Sequence, residues 1–365
     1  MDITPFLKLM VKESGSDLFF STHAPVSMKI QGVLTPVSKQ ALTSAQVRAS
    51  AFGLLTEEQQ QEFLRELELN FAISVPGVGR YRANLFQQRG DMALVIRHIK
   101  TEIPKVENLS LPPILKKVVE HKNGLILVVG ATGSGKSTTL AAMIGHRNEN
   151  IGGHILTIED PIEFVHRHKK AIVNQREVGM DTLTYANALK NAMREAPDVI
   201  LIGEVRDAET MDHALAYADT GHLCLTTLHS TNSTQALDRI FNFFEDTAKN
   251  QIRDDLSRNL RAIISQRLIP SKDGKLVPAV EILLNTSYVS NIIKKDEMDK
   301  LTEAMEAGIK DGMMTFDEAL YTLYKQGKIE LKTALEYADS YNNLQLKIRM
   351  NEGSLPQDAF SDVDL

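Results

Sequence analysis

The eight residues Gly130-Ala131-Thr132-Gly133-Ser134-Gly135-Lys136-Ser137 constrain this chain more than any other stretch. They follow the apolar run Leu125–Val129 and lead into the helical pattern Ser137–His146, so a tight turn joins a buried strand to a helix. Small residues let consecutive backbone N–H groups turn inward around phosphate oxygens. At this spacing Lys136 reaches the β and γ phosphates of a nucleoside triphosphate, and the Ser137 hydroxyl completes a Mg²⁺ shell. The helix that follows points its positive end at the same anion. The expected phosphate-binding set is therefore Gly130, Ala131, Thr132, Gly133, Ser134, Gly135, Lys136, Ser137 and Thr138, with Lys136 also catalytic. ATP and Mg²⁺ are the expected ligands. The bland alternative is a glycine-rich turn that happens to contain a lysine.

Two acidic segments also follow apolar runs. Val199–Ile202 is a core strand, and Glu204 emerges at its carboxyl end, where open α/β sheets bind ligands. A carboxylate there can hold the Mg²⁺ water shell or orient the attacking water. After the strand His154–Ile158, the residues Glu159, Asp160 and Glu163 gather negative charge that a cation, arginines or a water-activating role must offset. Glu163 is the preferred general base and Glu159 the second choice, against a solvated loop whose acids cap a turn. Glu159 also joins Ser137 and Glu204 as an expected metal ligand. His222 and His229 flank the strand Leu223–Leu228 without the further ligands a zinc site needs. His229 can instead touch the γ-phosphate or relay nucleotide state, and His222 reads equally as a contact or as a structural histidine.

Hydrolysis builds charge on the transferring phosphoryl group, which a guanidinium stabilises through paired donors. The loop supplies none. Arg80, Arg82 and Arg97, and in the core Arg194 or Arg206, are the candidates. Arg80 and Arg82 flank Tyr81 and share one strand face, an arrangement that also suits a solvated surface. A donor from another subunit would make hydrolysis depend on assembly, for which a ring is the natural closed form.

The chain's 365 residues suffice for two domains, and 43% hydrophobic with 24% charged residues is a globular composition. Residues 1–100 read as a small α+β module, with a helix over Ile3–Lys12, a strand at Asp17–Phe20 and an edge hairpin over Pro25–Val37. Capping boxes at Thr43 with Gln46 and Thr56 with Gln59 open two helices. The strand Phe71–Val75 follows, then a hairpin of Arg80–Gln87 and Met92–Ile99. Residues 101–113, with Pro104, Pro112 and Pro113, form the expected linker. The ATPase domain is expected over 114–345, with a parallel sheet covered on both faces. Its carboxyl-terminal part is read as helices over Lys249–Leu268, Asp296–Ala307 and Phe316–Lys325, plus a strand at Val280–Leu284. Residues 346–365 are read as a flexible acidic tail.

A net charge of -6 weakens the case for nucleic acid, and none is expected as a partner. The single cysteine, Cys224, excludes an intrachain disulfide and fits a reducing compartment. No run approaches the roughly 20 apolar residues that span a bilayer, and a cytoplasmic protein is expected.

The ordered set Arg80-Tyr81-Arg82-Ala83-Asn84, Gly130–Thr139, the acidic box His154–His166, Gly203-Glu204-Val205-Arg206-Asp207-Ala208-Glu209-Thr210 and the histidine box Thr220–His229 resembles the hexameric secretion and pilus motor ATPases, in particular the type IV pilus retraction ATPases. The resemblance runs from Gly15 to about residue 345. It implies an amino-terminal PAS-like α+β domain, a RecA-like P-loop ATPase core of α/β class, a helical carboxyl-terminal region and a homo-hexamer. It makes Glu163 the catalytic carboxylate and Glu204 the Walker B acid, with Arg80, Arg82 and Arg194 as arginine contacts and His222 and His229 as reporters of nucleotide state. It also implies work at the inner face of the inner membrane with the pilus platform protein. Where the principal motors carry an Ala-Ile-Arg-Asn-Leu-Ile type segment, this chain reads Tyr288-Val289-Ser290-Asn291-Ile292-Ile293. That departure points to the accessory branch, acting with a principal retraction ATPase. An ATP-binding adaptor with little turnover and a nucleic-acid translocase are the alternatives.

Overall fold

In the computed structural model, residues 1–352 are described, and they fall into two compact units. The first holds Met1–Glu102 together with Ile162–Val165. Its elements are α1 (Thr4–Lys12), β1 (Gly15–Ser21), β2 (Pro25–Ile30), β3 (Val33–Ala41), α2 (Ser44–Phe52), α3 (Glu57–Glu66), β4 (Glu68–Val75), β5 (Gly79–Gln88) and β6 (Asp91–Ile99). The strands form one antiparallel sheet in the order β3-β2-β1-β6-β5-β4. Alternation sends Leu18, Phe20, Tyr81, Ala83, Leu85, Leu94 and Ile96 into a core shared with Leu7, Met10, Val47 and Phe63 of the helices. Both capping boxes form, Thr43 with Gln46 and Thr56 with Gln59, so each helix starts where its sequence marks it. This is the PAS-like domain.

The second unit begins at Ile103 and resumes at His166. Its elements are α4 (Ile114–Val119), β7 (Gly124–Val129), α5 (Lys136–Asn150), β8 (Gly153–Glu159), β9 (Ala171–Glu177), α6 (Tyr185–Ala192), β10 (Val199–Ile202), α7 (Ala208–Asp219), β11 (Leu223–Leu228), α8 (Ser233–Asn242), α9 (Asp246–Asn259), β12 (Leu260–Pro270), β13 (Leu276–Leu284), α10 (Ser287–Lys295), α11 (Leu301–Ala307), α12 (Phe316–Lys325), α13 (Leu331–Glu336) and α14 (Tyr341–Glu352). The sheet order is β13-β12-β7-β11-β10-β8-β9, parallel except for the edge strand β13. Leu125, Leu127, Val129, Ile200 and Ile202 face one core, with α6 to α10, while Ile126, Val128, Val199 and Leu201 face the other, with α4 and α5. Such two-sided burial is why these strands read as unbroken apolar runs. The architecture is that of a RecA-like core.

Three expectations fail here. The helix expected over Lys249–Leu268 stops at Asn259, and Leu260 opens β12. Ile252, Leu256, Leu260 and Ile264 keep a four-residue spacing through the break, so the helical period hides it. What decides is pairing, since β12 fills the place between β7 and β13. The helix expected over Asp296–Ala307 is also shorter. Asp296 is the left-handed cap that ends α10, a 3-10 turn covers Met298–Lys300, and only Leu301–Ala307 is α-helix. Finally, α14 carries the chain through Glu352, so residues 346–352 of the expected tail are helical, with Leu344 and Ile348 buried against α12 and α13. The rest of the tail lies outside the described residues.

Candidate active site at the carboxyl ends of the parallel strands

The loop between β7 and α5 is set by its glycines. Gly130 has φ +156°, and a Cβ there would lie 2.4 Å from Ser134 Oγ and 2.5 Å from the Gln266 carbonyl oxygen. No larger residue fits without moving backbone. Lys136, buried, folds its ammonium back over the turn and donates to the carbonyl oxygens of Gly130 at 2.7 Å and Ala131 at 3.0 Å. Ser137 and Thr138 open α5 beside it, exposed and half-buried.

β10 and β11 are the next two parallel strands whose ends carry polar groups. Glu204 follows β10, His229 follows β11, and the two meet at 3.1 Å. Arg206 closes the other side of Glu204, with Nη2 2.7 Å from Oε2 and Nε donating at 2.9 Å. The His229 imidazole is held below its ordinary pKa, first by burial and then by the Lys136 charge, with Glu204 acting against both. Lys136 and His229 therefore share one electrostatic environment, and the neutral imidazole is the form favoured at neutral pH. Glu159 ends β8 on the same edge. Its Oε1 accepts from Thr157 Oγ1 at 2.6 Å and from Gln175 Nε2 at 3.1 Å. Tyr185 has its pKa pushed up by burial and by Asp160, with Glu159 and Glu204 adding and Arg206 opposing. Its phenol thus stays protonated among these acids.

Other expected site residues lie elsewhere. His222 precedes β11, its Nδ1 beside Thr220 Oγ1 at 3.1 Å and the Tyr217 carbonyl oxygen at 3.3 Å. Arg194, exposed, sits on the 3-10 turn that leads into β10. In a parallel sheet the start and the end of a strand are at opposite edges, so neither residue is brought to the loop of its own chain. In the amino-terminal unit, Arg82 and Arg97 stand directly opposite one another on β5 and β6, and Arg80 shares their face. Arg97 is already engaged, its Nε donating to the buried carboxylate of Asp17 at 2.8 Å. Glu163 is exposed between buried Ile162 and Phe164, on a segment that bridges to Lys100.

Two partners of the site are not evident in the sequence. Gln266 of β12 touches the loop, and Tyr185 sits among the acids. A signal for Gln266 exists, as Ser265-Gln266-Arg267 is a polar interruption in an apolar run, but the helical spacing around it conceals a strand. Tyr185 carries no such mark.

A glycine-shaped anion loop, a buried lysine and carboxylates on adjoining strand ends define a P-loop ATPase on a RecA-like core. The profile of the Type II/IV secretion system protein family matches residues 2–281. The Type IV pilus ATPase PilU of Pseudomonas aeruginosa is 51% identical over 355 residues, covering 97% of this chain and 93% of that protein. The Type IV pilus retractation ATPase PilT of the same organism is 41% identical over 338 residues, 93% of this chain and 98% of that protein. A crystal structure of the pilus retraction motor PilT with bound ADP superposes with a TM-score of 0.88 at 39% identity, covering 95% of this chain and 99% of that one. The chain belongs to the Type II/IV secretion system protein family, among the type IV pilus retraction ATPases.

Proposed function

We propose that this protein is a Mg²⁺-dependent ATPase that powers or assists type IV pilus retraction, working as a homo-hexamer beside a principal retraction ATPase. The observation that carries the reading is the shared edge on which the P-loop, Glu204 and His229 meet, within a chain similar over nearly its whole length to PilU and PilT. The residues present fit a triphosphate. The turn at Gly130 excludes side chains, Lys136 caps it with positive charge, and the buried Ser134 hydroxyl has no hydrogen-bond partner among the described residues.

Ser137, Glu204 and Glu159 would hold Mg²⁺, which supplies positive charge against the phosphate oxygens. Lys136 would exchange its loop carbonyls for phosphate oxygens. Glu163 would orient the attacking water, with Glu159 in reserve, and Glu204 would keep His229 placed to respond to the terminal phosphate. Arg80, Arg82, Arg97 and Arg194 are the proposed arginine contacts. Arg194 lies at the far strand edge, which supports its supply to a neighbouring copy and makes a closed ring the working form. Among the described residues no helix is long and apolar enough to cross a membrane. Engagement with the inner-membrane platform protein from the cytoplasmic side is proposed from the likeness to PilU and PilT.

Phosphate release by purified protein with Mg-ATP, alone and with the principal ATPase, tests this. Turnover that Glu163→Gln abolishes is expected. ATP binding with no turnover sensitive to Glu163→Gln in either setting would instead make the protein an adaptor.

A further inference from the structure

β12 buries two adjacent polar side chains, Ser265 and Gln266, and alternation sends them to opposite faces. Ser265 turns toward α8. Its hydroxyl donates to Glu281 Oε1 at 2.8 Å, and the same oxygen accepts from Ser233 N at 2.7 Å and Ser233 Oγ at 2.6 Å. The strand is thereby tied to the start of α8, four residues past His229. Gln266 turns the other way, is 3% exposed, and engages the nucleotide loop with one end of its amide and the helix that follows with the other. Its Nε2 donates to the Ser134 carbonyl oxygen at 2.7 Å, and its Oε1 accepts from Thr139 Oγ1 at 2.6 Å. A flipped amide would set oxygen against the Ser134 carbonyl, so that carbonyl imposes one orientation and the Thr139 hydroxyl donates to the oxygen it leaves.

The contact is three-sided. Besides Ser134, the Gln266 carbonyl oxygen lies 2.5 Å from where a Cβ on Gly130 would be, and its Nε2 2.8 Å from where one on Gly135 would be. In a trans peptide the carbonyl and the following N–H point in opposite directions. Drawing the Ser134 carbonyl toward β12 therefore turns the Gly135 N–H away from it.

We propose that Gln266 is a positioning residue for the nucleotide reaction: it holds the P-loop peptide between Ser134 and Gly135 in its anion-binding orientation, with Thr139 fixing its amide. This rests on the ATPase reading above. An apolar residue of like size would fill the same space but leave that peptide free to rotate, so phosphate binding would have to order it each time.

The test uses the full chain in four forms: wild type, Gln266→Ala, Thr139→Val and Thr139→Ser. Calorimetry gives the Kd for Mg-ADP, phosphate release gives KM and kcat for ATP, and thermal melting without nucleotide monitors the fold. Gln266→Ala is expected to raise Kd and KM about tenfold with kcat within about threefold, as expected for one or two lost hydrogen bonds. Thr139→Val should move the same way by less, and Thr139→Ser should match the wild type. An unchanged Kd in Gln266→Ala alongside a lower melting temperature would make Gln266 a packing residue only. Should that variant not fold, Thr139→Val indistinguishable from Thr139→Ser overturns the proposal in the same way. A wild type that binds ADP and hydrolyses no ATP sinks the ATPase reading, and the clamp is then judged on Kd alone.

Discussion

The seven-stranded sheet is apolar on both faces, whereas the six-stranded sheet packs helices on one face and carries Arg80, Arg82, Arg97 and Asp17 on the other. A sheet buried on both sides has only its strand ends to offer, and there this chain keeps the P-loop, Glu159, Glu204 and His229. A sheet buried on one side can line up charges across its strands. Asp17, Arg97 and Arg82 form such a row across three strands, in which the buried carboxylate pairs with the Arg97 guanidinium. Chemistry is thus concentrated at an edge in one unit and spread over a face in the other.

The largest expected effect lies at the strand ends. Lys136→Ala should lower ATP turnover about a thousandfold, read by phosphate release, since it removes the buried cation at the loop. Turnover within tenfold of wild type would place the chemistry away from that edge. Next comes Gly130→Ala, which forces a Cβ against the Gln266 carbonyl at a left-handed backbone position. A loss of about 2–4 kcal/mol in urea unfolding is expected, and a loss under about 0.5 kcal/mol would show that the turn can relax.

Acid sensitivity sharpens the contrast further. His166, buried where its backbone N–H meets Gln175 of β9, has its pKa lowered to about 4 by burial, with Lys169 adding to the effect. An unfolded chain protonates it near 6.5 and the native chain only near 4, so its contribution is full above 6.5 and lost as pH falls toward 4. The loss amounts to about 3 kcal/mol. The stability difference between wild type and His166→Gln should narrow or reverse over that window, and parallel pH curves would place the imidazole in a wetter site. The smallest effect belongs to the open face of the other sheet. Arg97 is largely exposed, and Arg97→Ala should cost about 1 kcal/mol, more than Arg97→Lys. Equal cost for the two would mean that charge alone, without the guanidinium geometry, holds Asp17.

Much of this is legible in the sequence because it is local. The P-loop's residue types are demanded by its own turn, the two capping boxes by their own helix starts, and the apolar runs by burial on both faces. Glu204 and His229 can be placed at strand ends for the same reason. What cannot be read is what pairing across the sheet decides. Leu260–Leu268 continues a helical spacing and yet is a strand, because β7 and β13 leave a place for it.

Gln266 follows from the same pairing, since it becomes a loop partner only once β12 is set beside β7. Residue type alone marked a lysine-capped glycine loop at residues 130–137. Only the tertiary structure decided which distant side chains brace that loop, because hydrogen bonds between strands join residues by register, which no local periodicity encodes.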